Sequence, residues 1–145
     1  MGVIALISWL ATAGAGLYLL AVWLIEYDRD VQKAAATRLP VPVISAHALL
    51  AIGGLAVWGG YLFLDEDRLA WISVAILGCV AALGLTMAAR WLPVYRRTSS
   101  PRSRAASASV PPERHFPVSV VITHGILAVT TITLVVLTAL EIYPS

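Results

Sequence analysis

The sequence predicts an all-α protein: a four-transmembrane-helix up-down bundle made by tandem duplication of a two-helix hairpin. Three observations predict it. The 145 residues are 59% hydrophobic and 12% charged, about half the charge of an ordinary soluble domain. Four uncharged apolar runs, Val3 to Ile25, Val41 to Leu64, Leu69 to Ala89 and Val118 to Leu140, each exceed 20 residues. About 20 helical residues cross a hydrocarbon core near 30 Å, and only helices or closed barrels satisfy their backbone there. Finally, Pro40-Val41-Pro42-Val43-Ile44-Ser45-Ala46-His47-Ala48-Leu49-Leu50-Ala51 returns 77 residues later as Pro117-Val118-Ser119-Val120-Val121-Ile122-Thr123-His124-Gly125-Ile126-Leu127-Ala128. The chain thus reads as a single membrane domain, residues 1–145, with repeat 1 over 3–64, repeat 2 over 69–140 and a disordered cytoplasmic loop over 98–112.

The first run has small residues at its centre, Ala11, Ala13, Gly14, Ala15 and Gly16, which let another helix or a flat group approach closely. It closes on Trp23 and Tyr27, interfacial residue types. It lacks the basic start of a cleavable signal peptide, and its apolar core is too long for one. Position 6 is Leu6 where a myristoylation site needs Ser or Thr. A short interfacial helix is expected over Asp28 to Ala36. Pro40 and Pro42 suit the first turn of the second run, whose face from His47 continues through Ala51, Gly54 and Trp58. The brief turn Asp65 to Arg68 makes the second and third runs antiparallel neighbours. The third run carries Ala75, Gly78, Cys79, Ala82 and Gly84, and ends Trp91-Leu92-Pro93-Val94-Tyr95-Arg96-Arg97. The first ends Trp23-Leu24-Ile25-Glu26-Tyr27-Asp28-Arg29, the same Trp, Leu, Tyr and Arg at an offset of 68. Gly16-Leu17 matches Gly84-Leu85 in the same register, so the duplication covers the whole hairpin. From His124 the fourth run's face continues through Leu127, Ala128 and Thr131.

Nine of the ten basic residues lie in two loops: Arg29, Lys33 and Arg38 in one, Arg90, Arg96, Arg97, Arg102, Arg104 and Arg114 in the other. Loops 26–40 and 90–117 are therefore expected to be cytoplasmic, with both termini and the Asp65-Glu66-Asp67-Arg68 turn outside. Scarce lysine with abundant arginine, alanine and valine suggests a GC-rich bacterial genome and a multi-pass protein of the bacterial inner (cell) membrane. The basic loop over 98–112 reads as solvated chain touching anionic headgroups; nucleic acid is not expected as a partner. Cys79 is the sole cysteine, so no internal disulfide forms and a packing role is expected. No nucleophile motif, phosphate loop or paired carboxylate appears, so a catalytic enzyme is not expected without a soluble partner.

What remains is the pair of histidines. His47 and His124 each follow a repeat proline by seven residues, which places them at equal depth, roughly 10 Å along the helix. They are the only ionisable residues other than Cys79 and the tyrosines within the runs, and such residues are functional candidates by default. Neighbouring helix axes ~8–10 Å apart put the diagonal axes roughly 11–14 Å apart. That spacing is too wide for the imidazoles to touch and suits a metal-centred flat cofactor between them. The first expectation is haem b with His47 and His124 as axial ligands to its iron, Gly16 and Gly84 giving porphyrin clearance, and Arg38 and Arg114 meeting its propionates. A bare zinc fits less well, since it wants three or four protein ligands. His115 stands at the membrane edge and reads as interfacial. The other expectation is a non-catalytic membrane scaffold or accessory subunit, with structural or quinone-contacting histidines bonded to Ser45, Thr123, Thr130, Thr131 or a carbonyl of another helix. Beyond the lipid bilayer, the partners considered are a quinone, a redox partner subunit or a second copy in a homo-oligomer.

The motifs Leu39-Pro40-Val41-Pro42-Val43 with His47, and Arg114-His115-Phe116-Pro117-Val118 with His124-Gly125-Ile126-Leu127-Ala128-Val129-Thr130-Thr131, resemble small four-helix integral membrane proteins of unknown function common in actinobacteria. That resemblance covers most of the chain and implies no activity. In layout the chain is also similar to bis-histidine membrane cytochrome b modules, which would imply electron transfer; the likeness is one of arrangement, without a shared motif.

Overall fold

A computed structural model describes residues 1–28, 37–98 and 111–140. They form four long helices, α1 (Gly2–Asp28), α2 (Val41–Leu64), α3 (Asp67–Thr98) and α4 (Val118–Ala139), with one 3-10 turn at Pro112–His115. All four helices are long and apolar enough to cross a membrane. The interfacial helix expected over 28–36 lies outside the described residues except for Asp28, which closes α1. So does most of the loop expected over 98–112. At its described end Pro112 is buried and opens the 3-10 turn.

The helix starts follow from proline chemistry. Pro40 and Pro117 are extended (φ −63° and −64°) and accept the first amide bonds of α2 and α4, at positions where a missing N–H costs nothing. Asp65 ends α2 in the left-handed region, φ 52°, and donates its N–H to the Tyr61 carbonyl. Aspartate tolerates this conformation better than most residues. α3 runs past Ala89 and through Pro93 to Thr98, further than the apolar run. The extension is held by buried Val94 and by the Trp91 indole N–H, which donates to the Glu113 carbonyl at 3.2 Å, while within the helix Trp91 stacks on Tyr95 with ring centres 5.2 Å apart.

The packing is uneven in an informative way. α2 packs most extensively on α3, and α1 on α4; the α1–α2 and α3–α4 seams are thinner, and the diagonal pairs make no close backbone approach among the described residues. The bundle is therefore two helix layers, α2–α3 and α1–α4, set face to face. Near the Asp65 turn the layers are sealed by a core of Ala5, Trp9, Trp58, Ala70, Leu77 and Val135, and Trp58 donates its indole N–H to the Gly2 carbonyl at 3.1 Å. At the arginine-rich end Trp23, Leu39, Val94 and Glu113 are buried. Between this end and the histidine level no side chain at 17–22, 40–46, 85–93 or 118–123 is buried. Exposed Leu49, Phe63 and Leu85 make an apolar outer surface suited to lipid.

Candidate cofactor site between the two layers

Each layer presents one imidazole. In the α2–α3 layer, His47 donates Nδ1–H to the Val80 carbonyl at 3.0 Å. In the α1–α4 layer, His124 donates Nδ1–H to the Thr12 carbonyl, also at 3.0 Å. One turn beyond each carbonyl is a glycine over which the ring lies: a Cβ on Gly84 would sit 3.2 Å from His47 Cε1, and one on Gly16 would sit 3.0 Å from His124 Cε1. Thr12 and Val80 are 68 residues apart, as are Gly16 and Gly84. The two arrangements are reciprocal, and each histidine bonds to the other hairpin.

This bond decides the chemistry of the rings. A carbonyl only accepts, so Nδ1 must carry the proton, and in the neutral ring Nε2 keeps the lone pair. Among the described residues neither Nε2 makes a hydrogen bond. Since no buried side-chain nitrogen or oxygen lacks a partner, each Nε2 must retain accessible surface. The ring centres are 6.3 Å apart and the planes inclined at 61°. The rings come closer than the expected diagonal spacing of the axes because each reaches inward from its helix. Two metal–imidazole bonds of about 2.0–2.1 Å in line, with roughly 1.2 Å from each nitrogen to its ring centre, give a spacing of about 6.4 Å. The observed ring-centre distance is close to that value. Among the described residues no cluster of three or more His, Cys, Asp or Glu could hold a bare ion, and Cys79 is exposed.

The other expected site residues fare differently. Gly16 and Gly84 do give clearance, but the groups resting on them are the imidazoles. Arg38 and Arg114 are exposed at the basic end; Arg38 is anchored by its backbone, its N–H donating to Glu113 Oε1 at 2.7 Å. Of the hydroxyls expected to partner the histidines, Thr131 instead joins Ser8 at 2.8 Å and Thr12 at 3.1 Å, while Thr130 bonds its own helix at Ile126. That hydroxyl cluster has an apolar counterpart in the other layer, where Ile76, Val80 and Gly54 hold the matching positions.

Sequence reasoning missed Glu113. Its buried carboxylate accepts from the Thr37 hydroxyl at 2.9 Å and from the Arg38 amide, and its carbonyl accepts the Trp91 indole N–H at 3.2 Å. Trp23 donates to Thr37 in turn at 3.4 Å. The residue thus ties the two loop segments together below the histidines. The available signal was that Glu113 is the one acid in the otherwise basic stretch 90–117. His115 lies 3.7 Å from Glu26, consistent with an edge position. Comparison with protein families, curated proteins and solved structures finds no match to this chain.

Proposed function

We propose that this integral membrane protein binds one haem b between His47 and His124 and carries electrons, between a quinol pool and a partner subunit in the membrane of a bacterial cell. The observation that supports this most directly is the pair of imidazoles, one per layer, with ring centres 6.3 Å apart and both Nδ1 atoms committed to carbonyls. When bound, haem supplies a one-electron iron couple. The chain's own residues do the rest. His47 and His124 would ligate through Nε2. The Val80 and Thr12 carbonyls hold each ring's tautomer and rotation, the role that outer partners of metal-bound histidines usually play. The α1–α2 and α3–α4 seams are the thinner ones, and no side chain at 17–22 or 40–46 is buried, so a flat group would enter along these seams. The sealed Trp9–Trp58 core shields the site from water on the other side. Tandem duplication of a hairpin accounts for the reciprocal contacts.

A second reading has its own support. Each imidazole bond already ties one hairpin to the other, so a scaffold or accessory subunit with structural or quinone-contacting histidines would use the same geometry. The two readings part on a reduced-minus-oxidised visible spectrum of protein purified in mild detergent from haem-sufficient cells. The haem reading expects low-spin haem b bands, lost or turned high-spin in both His47→Ala and His124→Ala. A colourless, folded wild type would overturn it in favour of the scaffold.

A further inference from the structure

We propose that the groove between the start of α2 and the end of α3 is a headgroup site for an anionic phospholipid. The groove encloses about 460 Å³, and its lining includes Arg38 and Arg90 against Leu39, Pro40, Val41 and Pro93. It holds two guanidiniums and no carboxylate. Arg90 is tied to the Arg38 segment, because its Nη1 donates to the Arg38 carbonyl at 3.2 Å. The acid bonded to this stretch, Glu113, is buried and engaged by the Arg38 amide and the Thr37 hydroxyl. Both arginine side chains are exposed and able to meet an anion.

Depth argues for a lipid. The apolar run of α3 ends at Ala89, so Arg90 enters the headgroup layer just as a hydrocarbon core of about 30 Å is used up. The adjacent Trp91, stacked on Tyr95, is of the residue type that marks this layer. Below the arginines Val41 and Ala89 are apolar and exposed, as an acyl chain needs, while two guanidiniums suit a phosphate. The matching place between α1 and α4 is built differently. His115 stands where Arg38 does and Val22 where Arg90 does, and His115 faces Glu26 at 3.7 Å. The charge complementarity to an anion belongs to one groove and is independent of the haem reading.

The test is native mass spectrometry of the purified full-length protein given equal phosphatidylglycerol and phosphatidylcholine in detergent. The wild type is expected to retain one phosphatidylglycerol selectively. Arg38→Gln and Arg90→Gln should each weaken that preference about fivefold, taking about 1 kcal/mol per arginine at a membrane surface. Arg68→Gln, at the other end, should not. Equal retention of the two lipids, or an unchanged preference in the double variant, overturns the assignment. Inorganic phosphate competing as well as the lipid would make this an ion site and also overturn it. A double variant that loses haem absorbance yet keeps its lipid would assign the arginines to a cofactor carboxylate instead.

Discussion

The Trp9 indole occupies the space where Gly54 has no side chain. A Cβ on Gly54 would stand 2.9 Å from Trp9 Cζ2 across the layers and 2.8 Å from Ile76 Cγ2 within its own layer, so there is no room for a side chain here. Gly54→Ala should therefore destabilise the bundle by about 1–3 kcal/mol, the usual cost of overpacking. Its neighbour Gly53 has open space around it, and Gly53→Ala should be neutral or gain up to ~1 kcal/mol of helix propensity. Thermal unfolding in detergent compares the two; equal melting temperatures would refute the close contact.

Gly16→Ala and Gly84→Ala press directly on the imidazoles. Because the new Cβ lies 3.0 Å from His124 Cε1 but 3.2 Å from His47 Cε1, the haem proposal expects Gly16→Ala to lower haem retention more than Gly84→Ala. Gly14→Ala and Gly78→Ala, both in open surroundings, should leave it unchanged. Absorbance per mole of purified protein checks the order, and a loss in the open-site variants equal to that in Gly16→Ala would count against the imidazole seats.

Thr131→Val removes the hydroxyl shared with Ser8 and Thr12 while keeping the side chain's shape. The expected loss is about 0.6–1.7 kcal/mol, the span measured for interhelical polar contacts in membranes. Thr130→Val should cost less, since that hydroxyl is exposed and bonds within its own helix. Denaturant titration of both variants decides it; indistinguishable midpoints would mean the cluster contributes nothing.

Glu113→Ala leaves the Arg38 amide without its acceptor and opens a hole at a buried position. A loss of about 1–3 kcal/mol is expected from the unsatisfied donor alone. Glu113→Gln keeps an acceptor oxygen for the Arg38 amide and fills the same space, so it should retain more of the stability than the alanine variant. Melting temperatures of the pair test this, and an alanine variant as stable as glutamine would refute the clamp.

The arginine-rich end is proposed to be cytoplasmic. Reporters fused to either end of the chain should be active only as outside markers, and a cysteine placed at Asp65 should react with an impermeant maleimide in intact cells. Labelling only after lysis would reverse the topology.

The helices and their order were legible because four long uncharged runs leave few alternatives in lipid, and the prolines before α2 and α4 mark their starts locally. The equal depth of His47 and His124 was likewise readable from matching offsets. Four things were not. Which carbonyl each ring meets depends on how α2 lies against α3 and α4 against α1, and nothing in the local sequence of Val80 or Thr12 marks it. Gly16 and Gly84 were recognisable as clearance, but what they clear depends on that same contact. Glu113 was hidden because burial of a loop acid is decided by Thr37, Arg38 and Trp91, which reach it from distant parts of the chain. The extension of α3 beyond Ala89 escaped for the converse reason: Pro93 argues for a break, and distant packing overrides it.

Because α1 rests chiefly on α4, biosynthesis meets a long delay. Ser8 and Thr12 enter the bilayer with the first segment, yet Thr131 and His124, which satisfy their hydroxyls and the Thr12 carbonyl, are translated more than a hundred residues later. Thr12 can donate its hydroxyl to the Ser8 carbonyl within α1 from the start, but the Ser8 hydroxyl waits for Thr131 until the final helix arrives. A ribosome stalled after α3 would therefore display an α1 whose polar strip still lacks its cross-helix partners.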